Sequence, residues 1–171
     1  MEWHHQQSGI KKKRFKTQTK FEIMKNIIFA VIGVIVIAVV YAFSNPKVDF
    51  TTDTKEGIQF HKEKWNDILA LAKKENKLVF LDVYASWCGY CKRLKKNTFS
   101  DKEVGSFYNQ NFINVSLDAE QGEGIDIAHK YSISGFPALL YLNGDGEIVL
   151  QSGGYQKPNE LIDLGKQILN K

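Results

Sequence analysis

Residues 27–43 form an unbroken apolar run, IIFAVIGVIVIAVVYAF, with no charge and a single glycine. A core helix of a soluble domain carries one apolar stripe, whereas this segment is apolar all round. At about 1.5 Å per residue it reaches about 25 Å as a helix, near the short end for a hydrocarbon core of about 30 Å. Ile23 and Met24 can lengthen it while Lys25 snorkels to the interface. The expectation is one N-terminal transmembrane helix. Residues 1–26 ahead of it read as a basic tail, and residues 44–56, polar with one proline, read as a linker.

From residue 57 the pattern becomes that of a compact domain, residues 57–171. Residues 57–60 alternate and predict a short strand. Trp65, Ile68, Leu69, Leu71 and Ala72 fall at helical spacing, and the helix should close after Lys73 and Lys74 at Asn76. Residues 78–84, LVFLDVY, are a near-continuous apolar run of strand length, the pattern of a central strand covered on both faces. A helix should open at the cysteines and run to about Asn97, and Ser100 to Glu103 resemble a capping box that starts another. A strand at 112–117, a short helix at 125–131 and strands at 138–142 and 147–151 follow. Asn143, Gly144, Asp145 and Gly146 give the last two strands a hairpin signal. Residues 158–169 close the chain as an amphipathic helix with Pro158 in its first turn. Strands and helices in this order predict an α/β sandwich, a crossover half followed by a hairpin half.

Charge separates the two regions. Of 23 Lys and Arg and 19 Asp and Glu, residues 1–46 hold seven basic and two acidic side chains, so the rest of the chain is nearly neutral. A nearly neutral domain lacks the basic face that nucleic-acid binding needs. The basic flank places the N-terminus in the cytoplasm and exports everything after Ser44. A signal peptide starting at Met24, with Val40 and Ala42 placed for cleavage, is the alternative. The long basic stretch upstream suits an uncleaved anchor better.

Cys88 and Cys91 are the chain's two cysteines. A Cys-x-x-Cys pair also occurs as half a zinc site, but here His61 and His129 are the domain's histidines, single and far apart, so no metal is expected. The pair follows an apolar strand and opens a helix. Unpaired N–H groups and the helix dipole at that point favour a thiolate on Cys88, with Cys91 one turn on, close enough to form or resolve a disulfide. Asp82 is the one charge in the apolar run before the cysteines. A carboxyl there should have a raised pKa and could exchange a proton with Cys91. An Asp at a strand edge facing water is the plainer alternative.

The segment Tyr84-Ala85-Ser86-Trp87-Cys88-Gly89-Tyr90-Cys91-Lys92 resembles the active-site stretch of the thioredoxin superfamily, and residues 79–82 resemble its central strand with the buried acid. Gly135, Phe136, Pro137 and Ala138 resemble the loop that places a cis-proline opposite the disulfide, and Ser152, Gly153 and Gly154 the glycine turn beside it. The likeness covers about residues 57–169, and Trp65 with Ala72 and Lys73, Asn97 to Ser100, and Glu123 and Gly124 with Ala128 and Tyr131 resemble the membrane-associated or exported bacterial group, itself similar to the thioredoxin-like C-terminal domain of a periplasmic thiol–disulfide interchange reductase. It implies a thioredoxin fold, a mixed sheet flanked by helices, behind the membrane segment. It implies Cys88, Cys91 and Asp82 as catalytic residues. Trp87, Gly89, Tyr90, Phe136, Pro137 and Gly154 would line the substrate site, with Phe136–Pro137 a cis peptide. No cofactor beyond a Cys88–Cys91 disulfide is implied.

Two departures bear on direction. Gly89 and Tyr90 replace both the Gly–Pro of many reductases and the histidine of strong oxidants, which points to a more reducing couple. Asn114 stands where thioredoxin has a lysine near the buried acid. The reading is a thiol–disulfide oxidoreductase of the bacterial inner membrane, its domain periplasmic. A reductase or isomerase direction is favoured, with disulfide-bearing proteins as substrates and a membrane-embedded thiol donor as partner. A non-catalytic thioredoxin-fold chaperone or assembly module is the alternative. A copper carrier would need Met or His ligands near the pair.

Overall fold

The computed structural model describes residues 3–44, 48, 50 and 53–170, with side chains described at residues 20–41, 48, 50 and 53–170. The chain divides into two units, residues 1–47 and 48–171.

The first unit is one helix, α1 (Trp3–Ser44). The basic stretch read as a tail is therefore helical and continuous with the apolar run. Within α1, Lys20–Tyr41 is long and apolar enough to cross a membrane, about 33 Å at the helical rise. Its Ile, Val and Phe side chains are exposed within this unit.

The second unit holds α2 (Trp65–Glu75), β1 (Leu78–Tyr84), α3 (Gly89–Leu94), a π-helical turn (Lys95–Phe99), α4 (Lys102–Asn111), β2 (Phe112–Asp118), α5 (Glu123–Lys130), β3 (Ala138–Leu142), β4 (Ile148–Gly153) and α6 (Pro158–Leu169). The sheet order is β2-β1-β3-β4. β1 pairs parallel to β2, with Asp82 opposite Ser116, and antiparallel to β3, with Asp82 opposite Leu139. This is the mixed, helix-flanked sheet of the thioredoxin fold.

Strand alternation sorts the central strands into two cores. Val79, Leu81 and Val83 point to one face and pack with Trp65, Ile68 and Ala72 of α2 and Ile127 of α5. Phe80 points to the other, where Leu94, Phe99, Tyr108 and Leu161 cover it. Asp82 and Tyr84 continue that second face towards the cysteines.

Beyond shifts of one or two residues at element ends, four further readings differ from expectation. Residues 57–60 are not a strand, because their amides have other acceptors. Ile58 N donates to Phe99 O, Gln59 N to Asn109 Oδ1 and Phe60 N to Asp53 Oδ2. A single bridge, His61 with Val115, is what pairs with β2. The helix after the cysteines does not run on as regular α-helix: the π turn intervenes, and Thr98 Oγ1 donates from it to Gln156 O at 2.6 Å. Asp101, not Ser100, caps α4, its carboxylate accepting from Glu103 N and Val104 N. The stretch read as a free linker contributes Phe50 and Asp53 to the domain, as described below. The Asn143 to Gly146 turn forms as expected, with Gly146 at φ 78° donating to Asn143 O.

Candidate active site

Cys88 and Cys91 are joined by a disulfide, their Cα atoms 5.3 Å apart. Cys88 is the N-cap of α3 with extended backbone, and its Sγ accepts from Cys91 N at 3.1 Å. An amide aimed at this sulfur stabilises negative charge on it once the bond is reduced. Both cysteines are buried, 5% and 3% exposed, in a small cluster with Tyr84 and Ala85, against which Phe50 and Phe136 pack.

Asp82 is 2% exposed on the same face of β1 as Tyr84. Ser116 Oγ donates to its Oδ2 at 2.8 Å, while Oδ1 has no partner. Burial pushes its pKa from 3.8 up to about 7, against the smaller pull of the Ser116 hydrogen bond and the Lys95 charge. The edge-exposed alternative is thereby excluded. Asn114 does not meet Asp82 as the resemblance suggested: its Nδ2 donates to Asn109 Oδ1, and Ser116, two residues on, faces the acid.

Of the remaining candidates, Phe136 packs against the cluster that holds the disulfide. Phe136–Pro137 is a cis peptide. Gly154, at φ 77°, donates its N–H to Pro137 O at 3.0 Å, joining the glycine turn to the proline loop. Phe136, Pro137, Gly153 and Gly154 line a groove of about 450 Å³. Trp87 is 65% exposed, its ring edge-on to Phe136 at 6.0 Å and its Nε1 donating to both carboxylate oxygens of Glu120. Tyr90 is 59% exposed on α3, and Gly89, at the helix start, faces open space. The structure thus makes Phe136 the link: it packs against the cluster of Cys88 and Cys91, meets the Trp87 ring edge-on, and lines one groove with Pro137 and Gly154.

Sequence reasoning passed over Phe50, Asp53, Lys95, Ser116 and Glu120. Ser116 was open to a register argument, since a parallel strand places one residue opposite Asp82. The others are joined by contacts across 33 to 45 residues, which local pattern does not encode. Among the described residues no three His, Cys, Asp or Glu side chains gather into a metal-sized cluster.

Comparison with known proteins adds identity to this geometry. The thiol:disulfide interchange protein DsbD of Escherichia coli K12 is 30% identical over 100 residues, 57% of this chain and 18% of that protein. A DsbD of Pseudomonas aeruginosa is 30% identical over 80 residues, so the chain spans under a fifth of the length of these relatives. Among solved structures, a proposed disulphide-isomerase from Bacteroides thetaiotaomicron superposes with a TM-score of 0.60 at 35% identity, covering 70% of this chain and 98% of the other. The C-terminal domain of Neisseria meningitidis DsbD in its oxidised form superposes with a TM-score of 0.51 at 25% identity, covering 59% and 89%. Residues 65–169 match the thioredoxin-like domain as a family, and the chain belongs to it.

Proposed function

We propose that this protein is a membrane-anchored thiol–disulfide oxidoreductase that reduces or isomerises protein disulfides outside the cytoplasm. The observation that carries the reading is the Cys88–Cys91 disulfide at the start of a helix, with buried Asp82 on the strand beneath.

In the reduced protein the Cys88 thiolate attacks one sulfur of a substrate disulfide, and the other substrate sulfur leaves as a thiolate that takes up a proton. Asp82, ionised, accepts the Cys91 proton, and the Cys91 thiolate attacks Cys88 Sγ in the mixed disulfide. The substrate sulfur still held leaves as a thiolate and takes up a proton, which Asp82 can return, so the substrate has gained two electrons and two protons and Cys88–Cys91 is oxidised. A pKa near 7 suits this step, because the carboxyl can take and give a proton at neutral pH. The groove beside Pro137 and Gly154 receives an extended substrate segment, and Trp87 and Tyr90 offer it apolar contact.

A reductase must be recharged by a dithiol donor, and for an exported domain that donor lies in the membrane. The layout follows: residues 1–26 cytoplasmic, 27–43 in a bacterial inner membrane, 44–56 leading out, and 57–171 periplasmic. Without a histidine between the cysteines the couple should lie closer to about −270 mV than to the −120 mV or so of a strong oxidant.

Reduction of insulin by dithiothreitol, catalysed by the full chain in detergent, tests the proposal. Wild type should accelerate turbidity and Cys88→Ser should not. Equal rates would end the catalytic reading and leave a scaffold role.

A further inference from the structure

Lys95 is an unusual lysine for a domain surface. Its side chain is 11% exposed, and its ion-pair partner Asp53 is 12% exposed. Its ammonium donates to Asp53 Oδ1 at 3.3 Å and to Phe50 O at 3.2 Å, and lies 5.5 Å from the Phe60 ring centroid. Sinking a charged pair strips hydration from both ions, and apolar residues of similar volume would often serve stability as well. The place of the pair gives it another use. Leu94, next to Lys95, belongs to the cluster around Phe80, and Cys91 to the cluster around Tyr84. Phe80 and Tyr84 are the neighbours of Asp82 on that face. Phe50, whose carbonyl holds Lys95, stacks its ring on Tyr84 at 4.1 Å.

We propose that Lys95, fixed by Asp53 and the Phe50 carbonyl, is a positioning residue for Asp82, its charge letting that buried carboxyl release its proton as well as take one. This rests on the redox reading above for its purpose, though not for its electrostatics. Burial alone drives the carboxyl towards a permanently neutral state, and Ser116 and Lys95 are the groups that oppose it. Leu139 lies opposite Asp82 on β3, and the charge of Asp53, paired with Lys95, tempers that of the lysine. His61, Lys62, Glu63 and Glu123 line the groove that opens at Ser116, further out.

The test is a ¹³C-carboxyl NMR titration of Asp82 in the oxidised full chain in detergent, its resonance assigned by loss in Asp82→Asn. Lys95→Met should move the midpoint up by about one pH unit, and Lys95→Arg should hold it near wild type. Should Lys95→Met not fold, Lys95→Gln keeps hydrogen-bonding capacity and carries the same expectation. A midpoint unmoved by loss of the charge overturns the proposal. A moved midpoint with an unmoved pH profile of insulin reduction would uphold the hold of Lys95 on Asp82 and count against Asp82 in catalysis, so the two failures are told apart.

Discussion

Folding tightens the hold of Asp82 on its proton, since burial lifts its pKa from 3.8 to about 7. Below pH 3.8 the carboxyl is neutral in both states and folding is indifferent to it. Between those values the unfolded chain sheds the proton first, so stability falls as pH rises, and above pH 7 the penalty is complete. Asp82→Asn should therefore stabilise the protein by about 4 kcal/mol at pH 8 and by almost nothing at pH 3, while slowing resolution of the mixed disulfide. Denaturant unfolding at the two pH values checks the first part and single-turnover kinetics the second. The acid and the two cysteines were legible because a charge inside an apolar strand and a close pair of thiols are anomalies in local pattern. Ser116 and Lys95, ordinary residues in their own stretches, gain meaning only from what folding sets against them.

The elements with strong periodicity, α2, β1, β3 and α6, fall where the pattern puts them, because each buries a face that its own sequence defines. The stretch before α2 does not. Its alternation is real, but Asp53, Asn109 and the Phe99 carbonyl take the amides that a ladder would need. Alternation marks which side chains are buried and is silent about where the backbone bonds go. Gly105 of α4 shows how closely this segment is held: a Cβ there would run into Glu56 O and the backbone of Gly57. Gly105→Ala should cost about 1–3 kcal/mol, read as an earlier midpoint in urea, although alanine is the better helix former. An unchanged or later midpoint would mean that the segment lifts away freely.

At the scale of the molecule, one helix carries the apolar stretch and a separate unit carries the redox pair. Deletion of residues 1–44 should release the protein from carbonate-washed membranes into the supernatant with insulin reduction intact. In spheroplasts of the full chain, a membrane-impermeant maleimide should label Cys88 and Cys91 after mild reduction. Protection from the reagent until lysis would reverse the proposed orientation. The hydropathy run made the apolar helix readable, while its reach back to Trp3 was not, because the polar residues there carry no apolar stripe.

Ser116 lines a groove of about 310 Å³ that shares no residue with the groove beside Pro137. Its hydroxyl donates to Asp82, and the residue lines that second opening. In the proposed reaction, a substrate segment held along the Pro137 groove would meet none of the residues that line this second opening. Protons could then come and go while the two proteins remain covalently joined, so release need not wait for water to return past the bound chain.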